Sequence, residues 1–288
     1  MKNALTPLQL IQWAVPLLRQ NHVYHPRHSA FSLVAFALSV DTLKLHLHFD
    51  RPLKTAEVGK IKKLIARRMN HEPLEYILEE IYFFGLPFKV SPAVLRPRIE
   101  TGQLVELALE ALAPLPQEKR LVLDLGTGCG NLALAVAKYI PCRVWALDIS
   151  AQALAVAKTN ARRLKVVSSL QWRQGDWFQA LTKRDPAQFQ VILCNPPYIA
   201  QLDEEFLNTE IQGYEPPVAL YGGKTGLDPY RAVAQGMAQR LAPGGIGLME
   251  LEPNRAKEAS DLFKGQGLKR SFAKDDAGVN RVLVLEKK

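Results

Sequence analysis

From Arg120 onward the chain repeats one pattern: a short apolar run, a turn, then a longer stretch with apolar positions at helical spacing. The runs Leu121 to Leu125, Arg143 to Asp148, Leu170 to Gln174 and Val191 to Cys194 read as strands, and 131–140 and 151–164 as helices. Strands separated by a helix return to the same end of a sheet, so they pair in parallel with right-handed crossovers. A helix over 228–241, a turn at Pro243 to Gly245, a strand at Ile246 to Leu251, a helix over 254–264 and a strand at Val282 to Glu286 complete the pattern. The closing segment is expected to contain antiparallel strands, as a mixed sheet allows. Such a sheet holds ligands beyond the carboxyl ends of its strands. The residues that follow each apolar run are therefore the first candidates for chemistry.

The preceding part of the chain is organised differently. Residues 5–20 and 28–40 are apolar at helical spacing with Pro26 between them, and Thr55 can cap a third helix ending near Asn70. Aromatic residues flank Gly85, Leu86 and Pro87 within Ile81 to Val90, the pattern of a hairpin. Helical periodicity then runs from Thr101 to Ala113, ended by Pro114 and Pro116. This places a helical unit at 1–80, a hairpin linker at 81–98 and the sheet domain at 99–288. Gln9, Gln12 and Arg19 interrupt the first apolar segment, no run reaches membrane-spanning length and no cleavage signal follows. The reading is therefore cytoplasmic, with no membrane partner. Cys129, Cys142 and Cys194 lie far apart without CxxC spacing, which indicates neither a zinc cluster nor a disulfide framework. His46 and His48 alternate as on a strand but lack partners at ligand spacing, so no metal is expected.

The net charge of +9 favours an acidic partner and leaves direct nucleic-acid binding open, although nothing else requires it. The sharpest basic cluster, Lys60, Lys62, Lys63, Arg67 and Arg68, interleaves with Ile61, Leu64, Ile65 and Met69. It reads as the solvated face of an amphipathic helix before it reads as a docking patch.

Four successive strand ends carry groups suited to binding. The first runs into Asp124, Leu125, Gly126, Thr127, Gly128, Cys129, Gly130 and Asn131, a GxGxG turn that lets backbone approach a ligand. A dinucleotide fingerprint would put its third glycine at position 131, so a cofactor without phosphate fits better than a pyrophosphate. Asp148 ends the second strand, where a carboxylate can accept both hydroxyls of a ribose. After the third come Asp176, Trp177 and Phe178, an acceptor for an adenine amino group and an aromatic wall. The fourth ends in Asn195, Pro196, Pro197 and Tyr198: a side-chain amide, a rigid turn and an aromatic face that together can grip a flat NH2 group. Each feature has a plainer alternative, namely a turn, a helix start at Ser150 or a core aromatic. Their coincidence at one sheet edge favours binding, and S-adenosylmethionine as the cofactor.

These residues resemble a class I methyltransferase, and more closely the HemK/PrmC family, which methylates the side-chain nitrogen of a glutamine in peptide chain release factors. The resemblance runs from Glu72 to Tyr76 through the hairpin, Leu95 to Glu106, the loop at 124–131, Gly175 to Phe178 and Asn195 to Ile199. It continues through Tyr214, Glu215, Pro216, Ala219, Leu220, Gly222, Gly223, Gly226, Leu227, Tyr230 and Arg231, and ends with Asp276, Gly278 and Arg281. It implies a Rossmann-like, mostly parallel mixed sheet with a small helical N-terminal domain joined through a β-hairpin. It also implies cofactor contacts from Gly126, Thr127, Gly128, Cys129, Gly130, Asp148, Trp177 and Asn195. The glutamine would be held by Asn195, Pro196, Pro197 and Tyr198, with Asn195, Pro196 and Tyr198 catalytic. The implied partner is a class I release factor, and the chain is taken as a monomer. Departures from the family pattern fall at Arg96, Ile99 and Gly102, at Glu79 where glycine is usual, and at Thr225 where an acidic residue is usual.

An amide nitrogen resists methylation because its lone pair is delocalised into the carbonyl. The Asn195 side-chain oxygen and the Pro196 carbonyl are expected to accept its two N–H bonds, with Tyr198 flat against the amide. The proton can leave after transfer, so no strong base is needed. Adenine presents a similar flat amine, so the motif alone leaves open a release-factor glutamine, a ribosomal-protein glutamine and adenine N6 in DNA. An inactive RNA- or ribosome-binding module is a further alternative. A DNA enzyme needs base flipping and a reading surface, whereas the N-terminal helices and hairpin look like a compact protein-docking unit. Glu250 and Glu252 are expected to be solvated or paired with Arg281, and Arg96 and Arg98 to form ion pairs that fix the linker to the sheet.

Overall fold

Thr6 opens the first helix with a reciprocal cap: its hydroxyl accepts from Gln9 N, and Gln9 Oε1 accepts from Thr6 N. The computed structural model describes residues 5–288. One unit comprises the chain up to Glu79 together with Asn208–Tyr214, and the other Glu80–Leu207 with Glu215–Lys288.

In the first unit, helices α1 (Pro7–Gln20), α2 (Pro26–Leu38), α3 (Thr55–Met69) and α4 (Leu74–Leu78) enclose a core that includes Leu10, Leu18, Leu33, Ile61 and Ile65. Apolar residues three and four apart on each helix supply it. Thr55 is the first helical residue and not the cap: Lys54 holds that position, and Glu57 Oε2 accepts from its N–H at 2.8 Å. His46 and His48 lie in a 3-10 turn, Thr42–His48, instead of a strand. Asp41 Oδ1 accepts from Leu43 N and starts that turn. The basic face of α3 is largely satisfied within the unit. Lys60 Nζ donates to Ala37 O and lies over the Phe36 ring, Lys62 lies over Trp13, and Arg67 donates two hydrogen bonds to the Glu72 carboxylate. Arg68 is buried and pairs with Glu210 at 2.6 Å.

The second unit begins with the hairpin β1 (Glu80–Phe83) and β2 (Leu86–Lys89). Its two turn residues, Phe84 and Gly85, both have positive φ, as the turn that matches strand twist requires. Then follow α5 (Gly102–Leu112), β3 (Leu121–Leu125), α6 (Asn131–Tyr139), β4 (Arg143–Asp148), α7 (Ala151–Leu164), β5 (Leu170–Gln174) and β6 (Phe189–Cys194). Helix α8 (Thr209–Tyr214) belongs to the first unit, where Glu210 meets Arg68 and Tyr214 Oη donates to Asn70 O. The chain closes with α9 (Pro217–Leu220), α10 (Asp228–Arg240), β7 (Leu241–Glu250), α11 (Ala256–Asp261), β8 (Leu268–Lys274) and β9 (Asn280–Lys287).

The sheet has the order β5-β4-β3-β6-β7-β9-β8, with β9 antiparallel to both β7 and β8 and the remaining pairs parallel. Strand β3 therefore has β4 on one side and β6 on the other. The order reverses there, which opens a crevice beyond the carboxyl ends of β3 and β6. Val122, Leu123, Val191, Ile192 and Leu193 are fully buried, as strands covered on both faces must be.

Two further details differ from the sequence expectation. Pro243 to Gly245 lies inside β7: Phe189 pairs with Leu241 and Val191 with Ile246, so the intervening residues bulge. The hairpin is part of the sheet unit, held by Tyr139 Oη donating to Phe84 O and by the Asn160 amide bridging Lys89 N and O. Among the described residues no single helix is long and apolar enough to cross a membrane.

Candidate active site

The loop after β3 is held from below by Asp124. Its Oδ2 accepts from Thr127 Oγ1 at 2.6 Å and from Ala133 N at 3.2 Å, and burial pushes the carboxyl up to about 7. Thr127 N donates to Leu147 O, tying the loop to β4. Gly128 has φ +57, and a Cβ there would meet nothing within 4 Å, so conformation and not crowding calls for glycine. Gly130 behaves oppositely. Its Cβ would come within 2.9 Å of Leu134 and 3.2 Å of Ala157, so this glycine lets α6 and α7 approach and does not line the cavity. Asn160, fully buried on α7, donates from Nδ2 to Cys129 O at 2.9 Å while holding Lys89, which fastens the loop to the end of the hairpin.

At the end of β4, Asp148 Oδ2 accepts from Gly128 N and Oδ1 from Ser150 N, each at 2.8 Å. Partial burial raises its pKa above the usual carboxylate value, against these bonds. Each oxygen keeps a lone pair for a further donor. The Cys129 thiol is pushed up to about 12 by burial and is no nucleophile. Trp177 lines the cavity, whereas Phe178 turns away and lies against Gly236 of α10.

These groups bound a cavity of about 250 Å³, closed on other sides by Ala93, Val94, Leu95, Pro97, Pro216, Val218 and Ala219. Asp148 and Asp176 are its charged residues, and among the described residues no Lys, Arg or His lines it. Two carboxylates without a cation disfavour a phosphate and suit a ligand that carries positive charge on apolar and nucleoside parts. S-adenosylmethionine, with a sulfonium and an ammonium group, fits this lining.

Asn195 and Pro197 reach the cavity, but Pro196 and Tyr198 do not line it. Asn195 Nδ2 donates to Thr101 Oγ1 at 3.3 Å. Tyr198 Oη donates to Glu250 Oε1 at 3.4 Å, and burial raises its pKa well above the ordinary phenol value. Glu250 is 4% exposed, which corrects the expectation of a solvated side chain. Arg281 pairs with Asp275 at 2.8 Å instead. Burial raises the Glu250 pKa, opposed by the Thr101 and Tyr198 hydroxyls. Arg96 and Arg98 both pair with the fully buried Glu215 carboxylate, at 2.6 and 2.7 Å, and so fix the segment before α5 to the segment before α9.

The glycines after Tyr221 explain the backbone of the Asn195 turn. A Cβ at Gly222 would lie 2.5 Å from Pro197 O, and one at Gly226 would run into Tyr198 O. Ile199 N donates to Leu220 O and Gly222 N to Ile199 O, knitting the two segments together. Sequence reading assigned no role to Thr101 or Asn160 and expected Glu250 only to be solvated or paired with Arg281. Thr101 lay within a matching segment, but a mid-helix Asn and a strand-end Glu carry no local signal.

The switch-point crevice, the glycine loop with a carboxylate at the next strand end, and the cation-free cavity define a class I S-adenosylmethionine-dependent methyltransferase. A methyltransferase from Pyrococcus furiosus shares the fold, with a TM-score of 0.51 at 20% identity over 71% of this chain and 90% of that one. The METTL16 methyltransferase domain shares it too, at 0.53 and 15% over 71% and 89%. Residues 9–78 match the PrmC N-terminal domain and residues 102–211 the methyltransferase small domain. Release factor glutamine methyltransferases are similar throughout: that of Geobacter sulfurreducens is 37% identical over 96% of this chain and 94% of its own, and that of Rhodopirellula baltica 32% over 98% and 96%. The chain belongs to the release factor glutamine methyltransferase family.

Proposed function

We propose that this protein transfers a methyl group from S-adenosylmethionine to the side-chain amide nitrogen (N5) of the glutamine in the Gly-Gly-Gln loop of class I peptide chain release factors. The observation that carries the reading is Asn195, whose amide sits at the switch point on the wall of a cavity suited to a cationic nucleoside. S-adenosylmethionine, when bound, supplies an electrophilic methyl group on a positively charged sulfur. The backbone from Gly126 to Cys129, the Asp148 carboxylate and the Trp177 ring would hold it.

Asn195 Oδ1 and the Pro196 carbonyl accept the two N–H bonds of the substrate amide and so fix its nitrogen in line with the methyl group. The same acceptors stabilise the positive charge that grows on nitrogen as the N–C bond forms and the S–C bond breaks. Tyr198 backs the amide plane, and the surplus proton leaves to solvent afterwards. Buried free thiols at Cys129, Cys142 and Cys194 support a reducing compartment, and we place the protein in the cytoplasm.

The test is incubation with labelled S-adenosylmethionine and three acceptors: a release factor, ribosomal proteins and adenine-containing DNA. Mass spectrometry should locate one methyl group on the loop glutamine. Asn195→Ala should lower turnover roughly 100-fold while changing cofactor affinity far less. Label confined to DNA or to a ribosomal protein would overturn the assignment of substrate.

A further inference from the structure

Building on the methyl-transfer reading, we propose that Thr101 and Glu250 are positioning residues that decide which end of the Asn195 amide faces the substrate. Asn195 Nδ2 donates to Thr101 Oγ1, and the Thr101 side chain lies 1% exposed at the start of α5. The Thr101 hydroxyl lies near enough to the Glu250 carboxyl to work against the rise in its pKa. That carboxyl is buried, and its Oε2 has no hydrogen-bond partner among the described residues, which leaves an acceptor for a nearby hydroxyl proton.

The polarity follows from counting protons. A carboxylate is acceptor-only and a hydroxyl has a single proton. With that proton turned toward Glu250, Thr101 presents lone pairs to Asn195, and only the NH2 end of the amide can meet them. The reversed amide would set Oδ1 against those lone pairs. Oδ1 is thereby left toward the cavity, where a substrate N–H needs an acceptor.

The same carboxylate accepts from Tyr198 Oη, so one buried group steers two side chains of the Asn195 turn. Tyr230 Oη donates to Glu250 O at 2.9 Å and holds the strand end in place. Neither Thr101 nor Glu250 lines the cofactor cavity, which separates their role from cofactor binding.

Thr101→Val keeps the shape and removes the hydroxyl, whereas Thr101→Ser keeps the hydroxyl and trims a methyl group. The valine variant should lose about 10-fold in kcat on the release factor, with cofactor Kd by calorimetry within about twofold of wild type. The serine variant should recover most of that loss. Glu250→Gln should fall between them, since an NH2 group that cannot accept replaces one of the two carboxylate oxygens available to Thr101 and Tyr198. Unchanged kcat in Thr101→Val would overturn the role. So would a serine variant as impaired as the valine one, or cofactor affinity falling in step with turnover, because each points to packing. Wild-type protein that labels no acceptor would overturn the methyl-transfer reading and this role with it, whereas active wild type beside an unaffected valine variant overturns this role alone.

Discussion

Gly226→Ala tests whether the glycine segment after Tyr221 is what shapes the catalytic turn. Gly226 has φ +75, a conformation that costs an alanine about 1–2 kcal/mol. Its new Cβ would also run into Tyr198 O and lie 3.2 Å from Tyr198 C and 3.3 Å from Ala200 N. These are backbone atoms, so no side chain can swing aside to relieve them. Overpacking of this kind costs a further ~1–3 kcal/mol. The bonds from Ile199 N to Leu220 O and from Gln201 N to Gly223 O tie both segments together, so neither yields alone. The sum is about 2–5 kcal/mol, which for a unit of this size lowers Tm by roughly 5–15 °C. A shift of Tyr198 moves Asn195 three residues upstream, and kcat should fall at least ~10-fold. Scanning calorimetry and single-turnover methylation read the two effects. Gly59→Ala on α3, where a Cβ meets nothing within 4 Å, is the control and should gain about 0.5–1 kcal/mol. A Gly226→Ala protein that melts within about 2 °C of wild type and turns over normally would refute the reasoning.

Glu79→Gly should stabilise by about 0.5–1 kcal/mol, because Glu79 closes α4 at φ 56 and glycine occupies that region without strain; an unchanged urea midpoint would count against it. Glu215→Gln should cost about 3–5 kcal/mol, since it removes the buried negative charge that Arg96 and Arg98 share; a loss below about 1 kcal/mol in urea unfolding would mean the pairs relax to water. The folded chain holds the Asp124 proton up to about 7, above the ordinary 3.8, so the folded state binds more protons than the unfolded state between those values and stability falls as pH rises through them. Asp124→Asn removes that slope, and its stability relative to wild type should climb from about pH 4 to 7; parallel unfolding curves across that range would exclude the assignment.

The order of elements was legible in the chain because strand and helix leave different apolar periods. The runs ending at Leu125, Asp148, Gln174 and Cys194 became strands at those ends, and parallel pairing placed their following residues at one edge. That much sufficed to put Gly128, Asp148, Trp177 and Asn195 around one cavity. Tertiary structure decided what surrounds them. Thr101 and Asn195 are 94 positions apart, and Tyr198 and Glu250 are 52 apart. A local pattern cannot say that Glu250 is buried under Tyr198, because burial of a carboxylate depends on which remote segments cover it and which hydroxyls they bring. The same holds for Asn160, a polar residue on a helix until the Lys89 and Cys129 backbones arrive to use its amide. It holds for α8, which lies within the sheet domain in sequence yet joins the first unit through Arg68 and Glu210. Periodicity is written in neighbouring residues, so the sequence alone determined the elements and the sheet edge that carries the chemistry. The orientation of the Asn195 amide and the close fit of Gly222 and Gly226 depend on distant chain segments meeting, and only the folded structure decided them.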